Sequence, residues 1–428
     1  MDEGKRRNDQ RKIVKNYGVT VTFRLIVVVL TFLNSILINR CLGVALRGEY
    51  TTISNWASLL QLFLNLGLGS AYPAIKRRYP EKSKYIYTTL LLLFALGYAL
   101  LFLVVGMFTG RNVRYTLLIA YMSTVGNLII FIAIVEDVRK RNLINILTSA
   151  LHTLILLTIY LLWRRSLYAV LWSIIIDHAV LSIGLILANH VFYVNFRLID
   201  KAILAEIFRI AIPAMIMNLL MYLNYHADVI FLSSLTKDYF AVGLYGTAVT
   251  LGNMLWIIPD AFKDILYHRA ARRDNPEEIA AAIIVNITLC VIVLTLFTVL
   301  GKWFLGFVYG EEFVAAYPLV LLLFVGTLPM VLYKLIHPIY IANGKTRIVV
   351  LLLSIAVVAN VIGNLILIPL YSATGAAISS VVSYIICGVA FYYKFKYDYH
   401  IDLTIILRNM KKILKSGKRC EETEAKIY

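Results

Sequence analysis

The chain has 428 residues, 60% of them hydrophobic and only 15% charged, with a mean hydropathy of +0.78 and a formal net charge of +18. A soluble domain of this length needs a polar shell that such a composition cannot supply, so a water-soluble fold is excluded. The positive charge speaks for membrane topology and an anionic lipid surface rather than for nucleic acid, provided its placement along the chain agrees.

Apolar runs of about 20 residues, each long enough to cross a hydrocarbon core about 30 Å thick, recur along the sequence. Twelve are read, at 17–39, 50–74, 85–108, 114–136, 143–163, 167–192, 211–235, 240–266, 279–305, 316–341, 348–370 and 374–395. Helices satisfy their own backbone in lipid, so the expected fold class is an all-α integral membrane protein with twelve transmembrane helices. The basic start MDEGKRRNDQRKIVK has the look of a signal-peptide leader, but no small-residue cleavage site follows and eleven further runs do. A retained first helix is therefore expected.

Basic residues alternate in density between successive loops. With the N-terminus inside, the cytoplasmic segments hold Lys5 to Lys15, then Lys76, Arg77, Arg78, Lys82 and Lys84, then Arg139, Lys140 and Arg141, and later Arg269, Arg272, Arg273, Lys345 and Arg347. The opposite loops keep only Arg40, Arg47, Arg111, Arg114, Arg164, Arg165, Lys237 and Lys302. That asymmetry places both termini in the cytoplasm of a cell (inner) membrane protein. The segments RLIDKAILAEIFRIAIP (197–213) and IDLTIILRNMKKILKS (401–416) are amphipathic and read as interfacial helices.

Two weak echoes divide the chain. RGEYTTISNWASLL at Arg47 aligns with VGLYGTAVTLGNML at Val242, pairing Gly48 with Gly243, Tyr50 with Tyr245 and Thr52 with Thr247. VGNL at Val125 pairs with VGTL at Val325. With six runs on either side of the basic segment near 195–209, these suggest two six-helix lobes, 1–195 and 196–428, related by an internal repeat around a central inter-lobe cavity.

Polar side chains fall in stripes at helical spacing. The first run aligns Thr20, Arg24, Thr31, Asn34 and Ser35, and the second Ser54, Ser58, Gln61 and Asn65. The seventh gathers Asn218, Asn224, Tyr225 and Asp228, and the eighth Asn253, Asp260, Asp264 and Tyr267. Amides, hydroxyls and tyrosines suit a hydrated, hydroxyl-rich ligand; the same groups also glue helices together in lipid. Arg24 is suited to phosphate oxygens, yet it lies only about 8 Å inside its run and could equally snorkel. Lys334, with His337 three residues on, is deeper. Asp228 has three roles open: partner to a cation, coupling-ion site, or sugar hydrogen-bond acceptor. A water-accessible cleft would make its charge tolerable. His226 falls off the stripe. Asp177 and His178 carry the same ambiguity, and Asp260, Lys263 and Asp264 read as a gate or a local salt bridge. The pair Glu136 and Asp137, beside Arg139, Lys140 and Arg141, reads as an interfacial salt bridge.

No P-loop is present, the four cysteines have neither metal nor redox spacing, and no outer loop is long enough to carry acid–base residues. Neither an enzyme, a cofactor nor a metal site is expected.

Six strings in order, RCLGVALRGEY, IAIPAMIMNLLMYLNYHADVIFLSSL, FAVGLYGTA, VYGEEF, YIANGKTR and NVIGNLILIPLYSATGAAISSVVSY, resemble the oligosaccharide-lipid flippases of polysaccharide biosynthesis. That family shares a superfamily with the multidrug and toxic-compound extrusion transporters. The resemblance spans nearly the whole chain and implies flipping of a polyprenyl-pyrophosphate-linked oligosaccharide from the cytoplasmic to the outer leaflet by alternating access. Its partners would be that lipid, the surrounding membrane lipids and other polysaccharide-assembly proteins. It also implies a cationic cavity, which favours Arg24 as a cavity residue. Ser372 departs from the glycine usual in the family, and the compact length argues against the fourteen-span lipid II flippases. Two other functions stay open: a cation-coupled drug or small-solute exporter, and a membrane polysaccharide polymerase or ligase.

Overall fold

In the computed structural model, residues 2–163, 166–270 and 276–401 are described, with side chains from Phe23 onward except those of Arg24 and residues 264–270. All regular structure among them is helical: α1 (Asp2–Asn65), α2 (Leu68–Arg78), α3 (Ser83–Met107), α4 (Arg111–Glu136), α5 (Val138–Leu162), α6 (Leu167–Asn189), α7 (Lys201–Thr236), α8 (Tyr239–Leu255), α9 (Ile257–Ala270), α10 (Pro276–Val308), α11 (Tyr317–Ala342) and α12 (Thr346–Tyr399). Among the described residues, ten helical stretches are long and apolar enough to cross a membrane. Their outward faces are large apolar side chains, such as Leu100, Leu161, Val299 and Leu370, each at least 66% exposed. Exposure on that scale fits a lipid solvent, so the chain is a multi-pass membrane protein.

Two of the long helices are broken. In α1 the backbone leaves the helical region at Gly43 (φ 68°, ψ 178°), and in α12 at Ser372 (φ 50°, ψ −128°). The second break reverses the chain. Asn360 Nδ2 donates to Ser380 Oγ at 3.4 Å, although twenty residues of straight helix would separate them by about 30 Å. The expected eleventh and twelfth runs are thus the two arms of α12. The first and second runs fall within α1 and α2, on either side of Gly43, with a further interruption at Leu66 and Gly67. Gly67 has φ 69°, and a Cβ there would stand 2.0 Å from the carbonyl oxygen of Ala211. Only glycine fits, in conformation and in space.

The chain divides into two compact units: Tyr17–Tyr222, and Leu223–Tyr428 with Met1–Asn16. The division falls inside α7. Its first part carries the segment expected to lie along the interface, which instead begins a continuous helix with Ile207 and Ala211 buried. The second amphipathic segment, apart from Ile401, lies outside the described residues.

In the Tyr17–Tyr222 unit, one core cluster joins Leu42, Ile53, Leu156, Ile159, Val170 and Leu171, and another joins Tyr72, Ile86, Leu90, Ile132 and Ile207. Charged residues tie the helix ends. Glu136 at the end of α4 accepts from Lys76 at 2.7 Å and from the Tyr72 hydroxyl at 2.7 Å, and Glu206 of α7 pairs with Arg78 and accepts from Tyr79 at 3.2 Å. Asp137 is chiefly an N-cap: its carboxylate accepts from the backbone N–H of Arg139 and Lys140, both at 3.1 Å, with the Lys140 ammonium 3.5 Å away. Those bonds, led by the one from Lys140, hold its carboxyl below the usual carboxylate range. In the other unit the core is aromatic, with Tyr245, Tyr333, Tyr340, Phe391 and Phe395 fully buried.

Candidate substrate and coupling sites

Pro259 has no N–H for the carbonyl four residues back, and the helix breaks at Trp256, between α8 and α9. The break sets Trp256 beside Lys334 of α11, whose ammonium lies 4.7 Å from the indole centre and 5.6 Å from the ring of Tyr225. Lys334 is buried and donates to both oxygens of Asp260, at 2.9 and 3.0 Å. Lys263 donates to the same carboxylate at 3.1 Å. Two lysines therefore share one acid. Trp256, Tyr225 and Tyr384 pack mutually, with Tyr225 4.5 Å and Tyr384 5.7 Å from Trp256. Beside them Asn253, Thr327 and Gly252 help to line a small recess, with Trp256 and Tyr384 as its aromatic walls. An exchangeable cation pair next to aromatic faces and an amide can hold an anion and a stacked, hydroxyl-rich group.

Asp228 lies elsewhere in the same unit and is 1% exposed. What tolerates its carboxylate here is not open water but donors: Tyr245 hydroxyl, Ser380 hydroxyl at 2.5 Å and the N–H of Val229 at 2.7 Å. Among the described residues no cation pairs with it. Around this group lies an amide and hydroxyl network. Ser383 donates to Asn224 Oδ1 at 2.8 Å, and Asn364 donates to Asn360 Oδ1 at 2.8 Å. Asn224 Nδ2, Asn364 Oδ1 and Ser379 Oγ are buried without a protein partner among the described residues. The stripe read on the seventh run thus splits: Asn224 and Asp228 face α12 and α8, Tyr225 faces Lys334 and Trp256, and Asn218 is only half-buried.

In the Tyr17–Tyr222 unit, Asn34 is buried and bonded to α5 through Thr153 and His152. Ser58 is half-buried and spends its hydroxyl on the carbonyl of Ser54 at 2.8 Å, a local bond any membrane helix can make. Gln61 reaches the carbonyl of Ser123 at 3.5 Å, and Asn65 is buried with its Oδ1 unsatisfied among the described residues. Asp177 is half-buried on α6. The side chains of Arg24 and Asp264 lie outside the described residues.

Several residues at these sites escaped the sequence reading. Tyr245, Ser380, Asn360 and Asn364 complete the surroundings of Asp228, and Trp256 and Tyr384 complete those of Lys334. Asn360 and Asn364 at i, i+4, and Ser379, Ser380 and Ser383 one turn apart, were the available signal.

Residues 13–258, more than half of the chain, match the model of the polysaccharide biosynthesis protein family. No curated protein sequence matches the chain. Among solved structures it is similar to the lipid II flippase MurJ in an inward closed conformation, with 12% identity over 88% of this chain and 87% of that one and a TM-score of 0.73. It is also similar to an inward-facing multidrug resistance MATE family transporter of the MOP superfamily, with 15% identity, 89% and 95% coverage and a TM-score of 0.65. A Vibrio cholerae MATE transporter follows at 16% identity, 88% and 94% coverage and a TM-score of 0.54. The chain has the fold of MOP-superfamily transporters, and it belongs to the polysaccharide biosynthesis protein family.

Proposed function

We propose that the chain flips a polyprenyl-pyrophosphate-linked oligosaccharide from the cytoplasmic to the outer leaflet of the cell membrane by alternating access, without catalysing a covalent step. The observation that carries this reading is the Lys334, Asp260 and Lys263 cluster, in which two lysines share one carboxylate beside Trp256, Tyr225 and Tyr384. Pyrophosphate oxygens can replace the Asp260 carboxylate on Lys334, and Asp260 remains on Lys263 to take Lys334 back after release. The rings and Asn253 then suit the sugar. Such a swap binds the headgroup without stranding a buried charge in the empty state.

The breaks at Gly43 and Ser372 support twelve crossings, because each separates two helical arms of membrane length. Twelve crossings return both termini to the cytoplasmic side, as the loop charges require. The division of the chain near its middle supports two six-helix lobes. Arg24, Asn34, Ser58, Gln61 and Asn65 in the first lobe, and Asn218, Asn224 and Asn253 in the second, remain candidates for the polar path. Asp177, Asp228, Asp260, Lys263 and Asp264 remain candidates for gating or coupling.

The test is deletion of the gene in its own host, followed by complementation. Loss of the chain is expected to trap lipid-linked saccharide on the cytoplasmic leaflet, wild type to release it, Lys334→Arg to release part and Lys334→Met none. Normal surface glycan in the deletion strain, with gained sensitivity to toxic solutes, would instead identify an exporter.

A further inference from the structure

His152 of α5 sits between α1 and α6. Its Nδ1 lies 3.5 Å from Asn34 Nδ2, and its Nε2 lies 3.2 Å from Ser173 Oγ. Ser173 is fully buried and donates to the carbonyl of Val170 at 2.7 Å, so it faces the ring as an acceptor. With Ser173 in that role, Nε2 carries a proton. On the other side, the Thr153 hydroxyl stands 2.7 Å from Asn34 Oδ1 and 2.9 Å from the carbonyl of Ser149. With Thr153 donating to Oδ1, the Asn34 amide turns its N–H toward Nδ1, which must then be a bare acceptor.

The same atoms also support a pattern for the doubly protonated ring. If Nδ1 takes up a proton, the Asn34 amide flips. Oδ1 then accepts from Nδ1–H, Nδ2 donates to Thr153 Oγ1, and Thr153 gives its hydrogen to Ser149. Each hydrogen bond named here keeps a donor and an acceptor in both states, and no backbone has to move.

We propose that Nδ1 of His152 is a proton-binding site, with the Asn34 amide as the group that reports its state to α1. Asn34 on α1, Thr153 on α5 and Ser173 on α6 make the site a junction of three helices. The ionisable groups around it are few. On α6 they are Asp177 and His178, one turn past Ser173, with Tyr168 before it; on α5 Tyr160 follows His152, and the midsection of α4 offers only Tyr121. From Leu25 to Asn39, α1 has no titratable side chain, and Arg40 beyond is exposed. Of these groups, Asp177 and His178 stand about one turn from Ser173 and can modulate the site. Resting on the flippase reading, proton exchange at His152 is the step that couples transport to the proton gradient.

Nitrogen-15 spectra of histidine-labelled full chain in lipid nanodiscs test the site directly and need no substrate. The signal lost in His152→Gln is expected to be a neutral ring protonated on Nε2 near pH 8 and to become imidazolium, reversibly, as the pH is lowered. Asn34→Leu, which removes the acceptor for Nδ1–H, is expected to lower the midpoint by about one pH unit, and Asn34→Asp to raise it. A ring that stays neutral across this range, or a midpoint indifferent to Asn34→Leu, overturns the site whether or not the protein is a flippase. For the coupling, glycan export in the complemented deletion strain should vary with external pH for wild type and not for His152→Gln. An unchanged pH profile in that variant refutes the coupling while leaving the flippase reading intact.

Discussion

Removing the shared acid from the lysine pair should hurt the protein more than removing the deeper lysine. In Asp260→Asn the Lys334 ammonium, its side chain only 8% exposed, loses an ionic partner at 2.9 and 3.0 Å. Removing one partner of a buried ion pair costs up to about 3–5 kcal/mol. The Trp256 face at 4.7 Å stays, and a cation over an aromatic ring in a dry site is worth up to about 2 kcal/mol, so it already stabilises the ammonium in both proteins. The new amide still accepts one hydrogen bond, which brings the expected loss to about 2–4 kcal/mol. In Lys334→Met the geometry is kinder. Asp260 keeps Lys263 at 3.1 Å and is 22% exposed, so the expected change is within about 1 kcal/mol of zero. The double variant should resemble Lys334→Met alone, giving a coupling of about 2–4 kcal/mol. Unfolding of the purified full chain in one detergent, by intrinsic fluorescence, measures all four proteins. If Lys334→Met destabilises as much as Asp260→Asn, Asp260 does not serve as the counter-ion on which the exchange depends, and the argument for the site fails.

Other substitutions probe single features. Ser372→Gly should stabilise by about 1 kcal/mol, since a non-glycine residue at φ 50°, ψ −128° stores about 1–3 kcal/mol and glycine returns part of that as unfolded-state entropy; an unchanged or lowered melting temperature contradicts the strain. Gly388→Ala would bring a Cβ to 2.0 Å from the carbonyl oxygen of Pro329, and a loss of about 1–3 kcal/mol or failure to accumulate is expected; a wild-type melting curve would rule out the close approach. Asp228→Asn should lose about 1–3 kcal/mol, because an amide cannot accept from Tyr245, Ser380 and the Val229 N–H together, and Tyr245→Phe should lose less. Equal losses in those two would mean that the hydroxyl, not the acid, organises the network.

How far these features could be read from sequence depends on what each one costs. Membrane length and loop charge are properties of contiguous residues, so the apolar runs from Ser83 to Asn189 are legible to within a few residues of α3, α4, α5 and α6. The backbone reversals are less so. Gly43 and Ser372 are single residues whose torsions follow from the arms packing on each other; Ser372 even lacks the glycine that would have advertised it. The amphipathic stretch that opens α7 is harder to read for a related reason. Its Ile207 and Ala211 join the core of the Tyr17–Tyr222 unit, and periodicity cannot tell a core-facing stripe from a membrane-facing one.

Helical spacing also finds only half of any site. Asn224, Tyr225 and Asp228 are neighbours on one helix, and sequence groups them; their partners Ser383, Trp256 and Ser380 lie far along the chain, and packing separates the three into two sites. The bare acid in the seventh run suggested a hydrated cleft because water is the cheapest solvent for charge. The fold supplies another solvent, hydroxyl groups from α8 and α12 aimed at one carboxylate oxygen. Desolvation is the same debt in either case, and only the three-dimensional arrangement says who meets it. That reasoning carries over to the lysines. Lys334 reads in isolation as a cation with little room to snorkel, and Asp260 as part of a gate or a local salt bridge; in the fold they are partners, with Lys263 on the same carboxylate.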